Sequence, residues 1–113
     1  MRYALLICID ETEVVSPEQQ ATRFDAFNDF MARTEARGML LGGARLRPTA
    51  TATSVRVSDG DVVIADGPFA ETKEQMGGFY LVECADLDEA IALAAEIPAA
   101  KYGTIEVRPV WER

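Results

Sequence analysis

The chain has 113 residues, 49% of them apolar, and a formal net charge of −8, which fits one globular domain. It contains no histidine. This absence excludes serine–histidine and cysteine–histidine catalysis and the common zinc sites. An acidic chain without a basic patch is repelled by phosphate backbones and anionic lipid, so neither nucleic acid nor a membrane is an expected partner.

The first residues predict a strand rather than a leader peptide. Arg2–Ile9 is almost continuously apolar, but the run stops at Asp10 with no small-residue cleavage site. No apolar stretch approaches the length of a membrane span. We therefore expect a cytoplasmic protein, in which the two cysteines, Cys8 and Cys84, are reduced thiols that pack as small apolar groups.

A helix is predicted from the segment after Ser16. Ser16 is suited to the N-cap, Pro17 to the first helical position, and Gln19 to a capping box. Gly38 suits a left-handed stop at the other end. The apolar residues expected to pack into the core at helical spacing are Phe24, Phe27, Phe30 and Met31.

Met39–Leu46 predicts a second strand, interrupted by Gly42 and Gly43 at a bulge or close approach. A β-hairpin is predicted after Pro48, because Asp59-Gly60 favours a two-residue turn. That turn sets Val57 opposite Val62 and Val55 opposite Ile64, all on one face, with Arg56 on the other.

The rest of the chain predicts a loop at 66–77, a strand at 78–84, a helix and a final strand. The helix opens near Asp86 and is stopped by Pro98, and Pro109 in the last strand (105–111) indicates a sheet edge. The apolar stripe expected on this helix is Leu87, Ala90, Ile91, Ala94 and Ile97.

This element order predicts one ferredoxin-like α+β domain over residues 1–113, an antiparallel sheet with both helices on one face. Two helices cover only one sheet face. Yet 2–9 and 78–84 carry apolar side chains toward both faces. A homodimer formed through the second sheet face is therefore expected.

The segment Asp66-Gly67-Pro68-Phe69, with its continuation through Tyr80, resembles the DGPF branch of the YCII-related family. The stretches 50–56 and 102–109 support this resemblance, which covers essentially the whole chain. It implies ferredoxin-like domains packed sheet to sheet in a dimeric α/β-barrel-like assembly. Most members have no assigned activity, and the His–Asp pair of some relatives has no counterpart in a chain without histidine. An association with extracytoplasmic-function sigma factors is implied by analogy only.

Asp66 is the candidate with both a structural and a catalytic interpretation. In the structural one, its side chain accepts bonds from its own turn, Gly67 takes a conformation that other residues avoid, and Phe69 anchors the loop in the core. In the catalytic one, Asp66 is a desolvated carboxylate at a pocket mouth that acts as a general base, or as an anchor that binds a ligand.

Three further residues are candidate ligand-binding groups. Arg45, at the end of the second strand, suits a carboxylate or phosphate, and the alternative is an ion pair with one of the many acids, within the chain or between subunits. Tyr80 and Tyr102 suit either hydroxyl donation to a ligand or capping of the core. Neither a cofactor motif nor a metal-ligand pattern is present, so we expect no cofactor and no metal site.

Two functions are compatible with these residues. The favoured one is a non-catalytic accessory or regulatory module that binds a small molecule or a protein. The alternative is a small enzyme that uses Asp66 in acid–base or hydrolytic chemistry on an anionic or aromatic metabolite.

Overall fold

The structure, a computed structural model, describes residues 1–112. It contains six strands, two α-helices and two short 3₁₀ turns. None of the helices in this part of the chain has the length and apolarity needed to cross a bilayer. The strands are β1 Arg2–Ile9, β2 Leu40–Arg45, β3 Thr53–Ser58, β4 Asp61–Asp66, β5 Gln75–Glu83 and β6 Thr104–Pro109, and the helices are α1 Pro17–Ala36 and α2 Leu87–Glu96.

Four of the strands form an antiparallel sheet in the order β2-β5-β1-β6, and β3 and β4 form a separate hairpin. With the hairpin set aside, the order along the sheet is second, third, first, fourth strand, which agrees with the predicted ferredoxin-like plan. Pro109 lies in β6 at one edge of the sheet, so its missing N–H interrupts no ladder on the outer side.

Both helices pack on the same face of this sheet. Tyr3, Leu5 and Ile7 alternate along β1 toward the helices and are buried. They form one apolar cluster with Phe30 of α1 and Leu93 of α2. The predicted arrangement of two helices on one face is confirmed.

The helix ends follow the predicted chemistry. Ser16 Oγ accepts a hydrogen bond from the Gln19 N–H, and the Gln19 side chain accepts one from the Ser16 N–H. Gly38 has φ of +70°, the left-handed conformation expected after the helix. At α2, the Asp86 carboxylate accepts a bond of 2.9 Å from the Glu89 N–H.

The apolar stripe of α2 is rotated from the predicted one. Leu87 and Ile91 are about half exposed, whereas Leu93, absent from the predicted stripe, is buried. The residues that face the sheet are Ala90, Leu93, Ala94 and Ile97, a set with helical spacing. The prediction is confirmed for Ala90, Ala94 and Ile97. It was wrong for Leu87 and Ile91, which fit the helical spacing but lie on the exposed side of the stripe.

The other face of the sheet is covered by no element of residues 1–112. Ala4 and Leu6 of β1 pair with Leu81 and Phe79 of β5 on this open face. All four side chains are partly exposed.

The predicted packing of α1 can be tested with two phenylalanines on the same helix. Phe30 is 0% and Phe24 is 54% exposed. Phe30→Ala should lower the free energy of unfolding by about 3–5 kcal/mol, because it leaves a cavity in the core. Phe24→Ala should lower it by less than about 1 kcal/mol. Urea denaturation of both variants measures the difference, and equal losses would contradict this packing.

Candidate functional site

A cavity of about 740 Å³ lies between α1, over its residues 20–31, and the β2–β5 side of the sheet. Its volume is in the range of small-molecule binding sites, about 300–1,000 Å³. Phe24, Phe27 and Met31 of α1 line it on the helix side, and Gly43 and Gly78 line it on the sheet side.

The glycines explain why a cavity forms at this position. Gly43 pairs with Tyr80, and Gly78 pairs with Arg45, at positions that face the helix. A Cβ on Gly78 would lie 2.8 Å from the Ala44 carbonyl oxygen, so the close strand pairing excludes a side chain. At these two positions backbone rather than a side chain faces α1, between the larger wall residues Ile7, Leu40 and Tyr80, and this leaves space below the helix.

The apolar stripe of α1 therefore has two roles. Phe30 is fully buried in the core, as predicted. Phe24, with 54% of its surface exposed, lies on the cavity wall, so the prediction that it belongs to the core was wrong. The helical period tells which residues face inward, but not how far the helix stands from the sheet.

One wall of the cavity is held by a cluster of three side chains, Glu13, Arg23 and Tyr102. Arg23 Nη2 donates to Glu13 Oε1 at 2.8 Å. The Arg23 guanidinium also stacks over the Tyr102 ring, 3.7 Å from its centroid. Both charges are thus engaged within the protein, and Tyr102 is held in place.

Arg45 ends β2 and lines the same cavity. Among residues 1–112 it forms neither an ion pair nor a side-chain hydrogen bond, whereas Arg23, Arg33 and Arg37 all pair with acids. The alternative of an intrachain ion pair at Arg45 is not observed within that range. A guanidinium without a protein partner at a cavity wall is available to an anionic ligand.

A smaller recess of about 290 Å³ adjoins the cavity and shares Arg45 with it. Its carboxylates already have protein partners. Asp10 accepts from the Thr12 hydroxyl at 2.6 Å, and hydrogen bonds from Thr12 lower the pKa of Asp10. Glu11 accepts from the Thr49 hydroxyl at 2.6 Å.

Tyr80 and Tyr102 both line the main cavity. Burial raises the pKa of both phenols, while for Tyr102 the guanidiniums of Arg23 and Arg45 act in the opposite direction. The Tyr80 ring is fixed by Phe30, with ring centroids 5.3 Å apart. Its hydroxyl has no protein partner within residues 1–112 and is not enclosed by protein, so it opens to the cavity. Both hydroxyls are neutral donors at neutral pH.

Asp66 lies elsewhere in the structure. It is the last residue of β4, is exposed, and is not on the cavity wall. Its carboxylate accepts no hydrogen bond from residues 1–112, so the bonds expected within its own turn are not formed. Gly67 does have the predicted left-handed conformation, with φ of +93°, and its N–H donates to the Ala52 carbonyl at 2.8 Å.

Phe69 does not anchor the loop in the core, contrary to the prediction. It is 79% exposed, and the Arg56 guanidinium lies 5.6 Å from its ring centroid. The segment from Asp66 to Phe69 therefore lies at the base of the hairpin, next to β3 rather than next to α1.

The two thiols lie at opposite ends of β1. Cys8 pairs with Thr104 near one end, and the Cys84 N–H donates to the Met1 carbonyl at the other. Burial raises the pKa of both, which lowers their reactivity at neutral pH. This agrees with the expected packing role.

Sequence reasoning missed several groups of the cavity, above all Arg23, Glu13 and Asn28. A clue was present in the sequence, since Asn28 follows Phe24 by one helical turn and places an amide on the inward face. The second clue was the pair of glycines in the strand opposite. Together they indicate a helix face that borders a cavity rather than a closed core.

The fold and the cavity define a small ferredoxin-like α+β domain with a binding-sized cavity between its first helix and its sheet. The chain belongs to the YCII-related domain family, whose profile matches residues 1–113. It is 41% identical over 114 residues to an uncharacterized protein of Rhizobium meliloti (strain 1021), an alignment that covers 97% of this chain and 92% of that protein.

The raised pKa values of the two cavity tyrosines can be measured. Their phenols should ionise above the value of about 10 for a free tyrosine, because burial disfavours the phenolate. The contribution of the two neutral phenols to the free energy of unfolding is fully present below a pH of about 10. It is lost as the pH rises through their raised folded-state pKa. Absorbance titrations of the wild type, Tyr80→Phe and Tyr102→Phe assign each phenol by difference. A midpoint at or below 10 would contradict the assignment of these groups to a desolvated wall.

Proposed function

We propose that this protein is a binding module, and that its cavity takes a small molecule with a flat apolar body and one carboxylate or similar anionic group. The observation that carries the proposal is Arg45 on the wall of a largely apolar cavity, without an acidic partner among residues 1–112. An apolar cavity with a few convergent polar groups is the usual form of a small-molecule site.

Each part of the wall has a role in this proposal. The Arg45 guanidinium binds the anionic group, with two parallel N–H donors if the group is a carboxylate. The hydroxyls of Tyr80 and Tyr102 donate to polar atoms of the ligand. Phe24 and Phe27 contact its apolar body, and burial of that body supplies most of the free energy of binding.

The geometry favours binding over turnover. Glu13 is the carboxylate on the main cavity wall, and Arg23 holds it in an ion pair. Asp66, the base of the enzymatic alternative, lies apart from this wall within the protomer. The family resemblance suggests that the binding module has an accessory or regulatory role. In this role, ligand binding would change the interaction with a protein partner such as an extracytoplasmic-function sigma factor.

We also propose that the working unit is a homodimer joined through the open face of the sheet. Leu6 pairs with Phe79 near the middle of this face, and Ala4 pairs with Leu81 beside it. These apolar side chains have no covering element within residues 1–112. A twofold copy would cover them with an equal surface.

The cavity proposal can be tested with anilinonaphthalene sulfonate, which joins an aromatic body to an anionic group. Arg45→Gln should raise its Kd about 10- to 100-fold, the value of a charge-assisted hydrogen bond. Arg47→Gln is the matched control, because Arg47 is also an exposed arginine but does not line the cavity. Probe fluorescence measures the Kd of each variant.

The uncharged parent compound, phenylnaphthylamine, separates the charge from the apolar contact. Its Kd should be unchanged by Arg45→Gln and should rise in Phe24→Ala. Equal effects of Arg45→Gln and Arg47→Gln on the sulfonate would show that binding does not use Arg45, and the proposal would fail.

The sheet-face dimer is tested by Leu6→Gln, which places an amide at the centre of the open face. Wild-type protein should show about twice the mass of 12.4 kDa in light scattering. The variant should dissociate at a higher concentration than the wild type. A wild-type protein that is monomeric at high micromolar concentration would contradict the dimer.

A further inference from the structure

The β3–β4 hairpin is amphipathic, but its apolar face packs on nothing within residues 1–112. Val55 pairs with Ile64, and Val57 pairs with Val62, so all four lie on one face. They are 61%, 66%, 71% and 64% exposed, respectively. The opposite face is mixed, with Ser54, Arg56 and Ser58 of β3 paired with Ala65, Val63 and Asp61 of β4. An alternation of this kind is typical of a strand pair with one buried face.

The turn shows that the hairpin register is fixed. Asp59 has φ of 52° and Gly60 has φ of 81°, both positive as a type I′ turn requires. A shift by one residue would move all four apolar side chains to the opposite face. The exposed apolar face is therefore a property of a defined register.

The protomer has more surface than its mass accounts for. A compact chain of 12.4 kDa has about 6,100 Å² of accessible surface, whereas this one has 8004 Å². Its radius of gyration is 16.0 Å, against about 13 Å for a compact domain of this length. The excess of about 1,900 Å² is more than twice the roughly 800 Å² that each partner contributes to a standard interface.

We propose that the hairpin is an arm that packs its apolar face, Val55, Val57, Val62 and Ile64, against a second copy of this chain. The proposal concerns the assembly only and does not depend on a ligand in the cavity. The two copies would then meet at two separate surfaces, the open sheet face and the apolar face of the hairpin.

A second copy is the occupant that fits these observations. An isolated two-stranded hairpin is only marginally stable in water, so a partner that is always present is needed. Another molecule of the same chain meets this condition. It also offers the same two apolar surfaces, an arm and an open sheet face, in equal number, as twofold symmetry requires.

The distribution of charge on the hairpin is also compatible with a second copy of the chain as the partner. Each copy carries a net charge of −8, so contact between copies must avoid acidic surfaces. The four residues of the apolar face are uncharged, and the carboxylates of the hairpin lie at its two ends, Asp59 and Asp61 at the turn and Asp66 at the base. The arm can therefore approach another acidic copy without bringing carboxylates together at its centre.

The test is the double variant Val57→Thr/Val62→Thr, measured by sedimentation equilibrium. Threonine is β-branched and keeps the strand propensity, but it places hydroxyls in the contact. The dimer Kd should rise on the order of 100-fold or more, since symmetry doubles the number of altered side chains. Val63→Thr is the matched control, because Val63 lies on the opposite face of the same hairpin. It should leave the Kd nearly unchanged.

Amide exchange gives a second readout. Residues 53–66 of the wild type should be protected at high protein concentration and should lose protection on dilution, whereas the buried strand β1 should not. Far-UV circular dichroism checks that the variant is folded. A monomeric wild type, a dimer whose Kd is unchanged in the double variant, or equal effects of the double variant and Val63→Thr would each overturn the proposal.

Discussion

The contact between Phe30 and Tyr80 is the point at which α1 meets the sheet. Both side chains are buried, and their ring centroids lie 5.3 Å apart. Toward α2 the layer between helices and sheet is filled with aliphatic side chains, with Leu93 and Ile97 almost completely buried. Toward β2 the same layer contains a cavity, because Gly43 and Gly78 contribute no side chains. This aromatic contact thus lies between the core and the candidate binding site, and it fixes the ring whose hydroxyl opens to the cavity.

The sequence was sufficient for most of the fold because its local rules are strong. The capping box at Ser16 and Gln19 fixed the start of α1, and the turn at Asp59-Gly60 fixed the hairpin register. The rotated stripe of α2 and the exposed Phe69 show where such rules stop. Periodicity predicts which side chains share a face, but burial depends on the distance to the opposing layer, and that distance follows from packing over the whole domain.

The candidate site was predictable only in part, for a topological reason. Arg45, Tyr80 and Tyr102 are distant in sequence, and they meet because β2 and β5 are neighbours in the sheet and Tyr102 follows the turn after α2. Asp66 was singled out by its motif, yet the hairpin carries it away from that edge. Arg23 was overlooked because a charged residue near a helix N-terminus is ordinarily solvated, and only the structure shows that it stacks on Tyr102.

The attachment of α1 is uneven along its length. Its C-terminal half holds the buried residues Phe30 and Thr34, and there Arg33 and Arg37 both pair with Glu96, at 3.0 and 3.2 Å. Its first and middle turns, over residues 20–31, have the cavity beneath them. Segments with few buried contacts open at the lowest free-energy cost. We expect the first turns of the helix to detach while the last turns stay docked, which would let the cavity exchange its contents on a timescale much shorter than that of global unfolding.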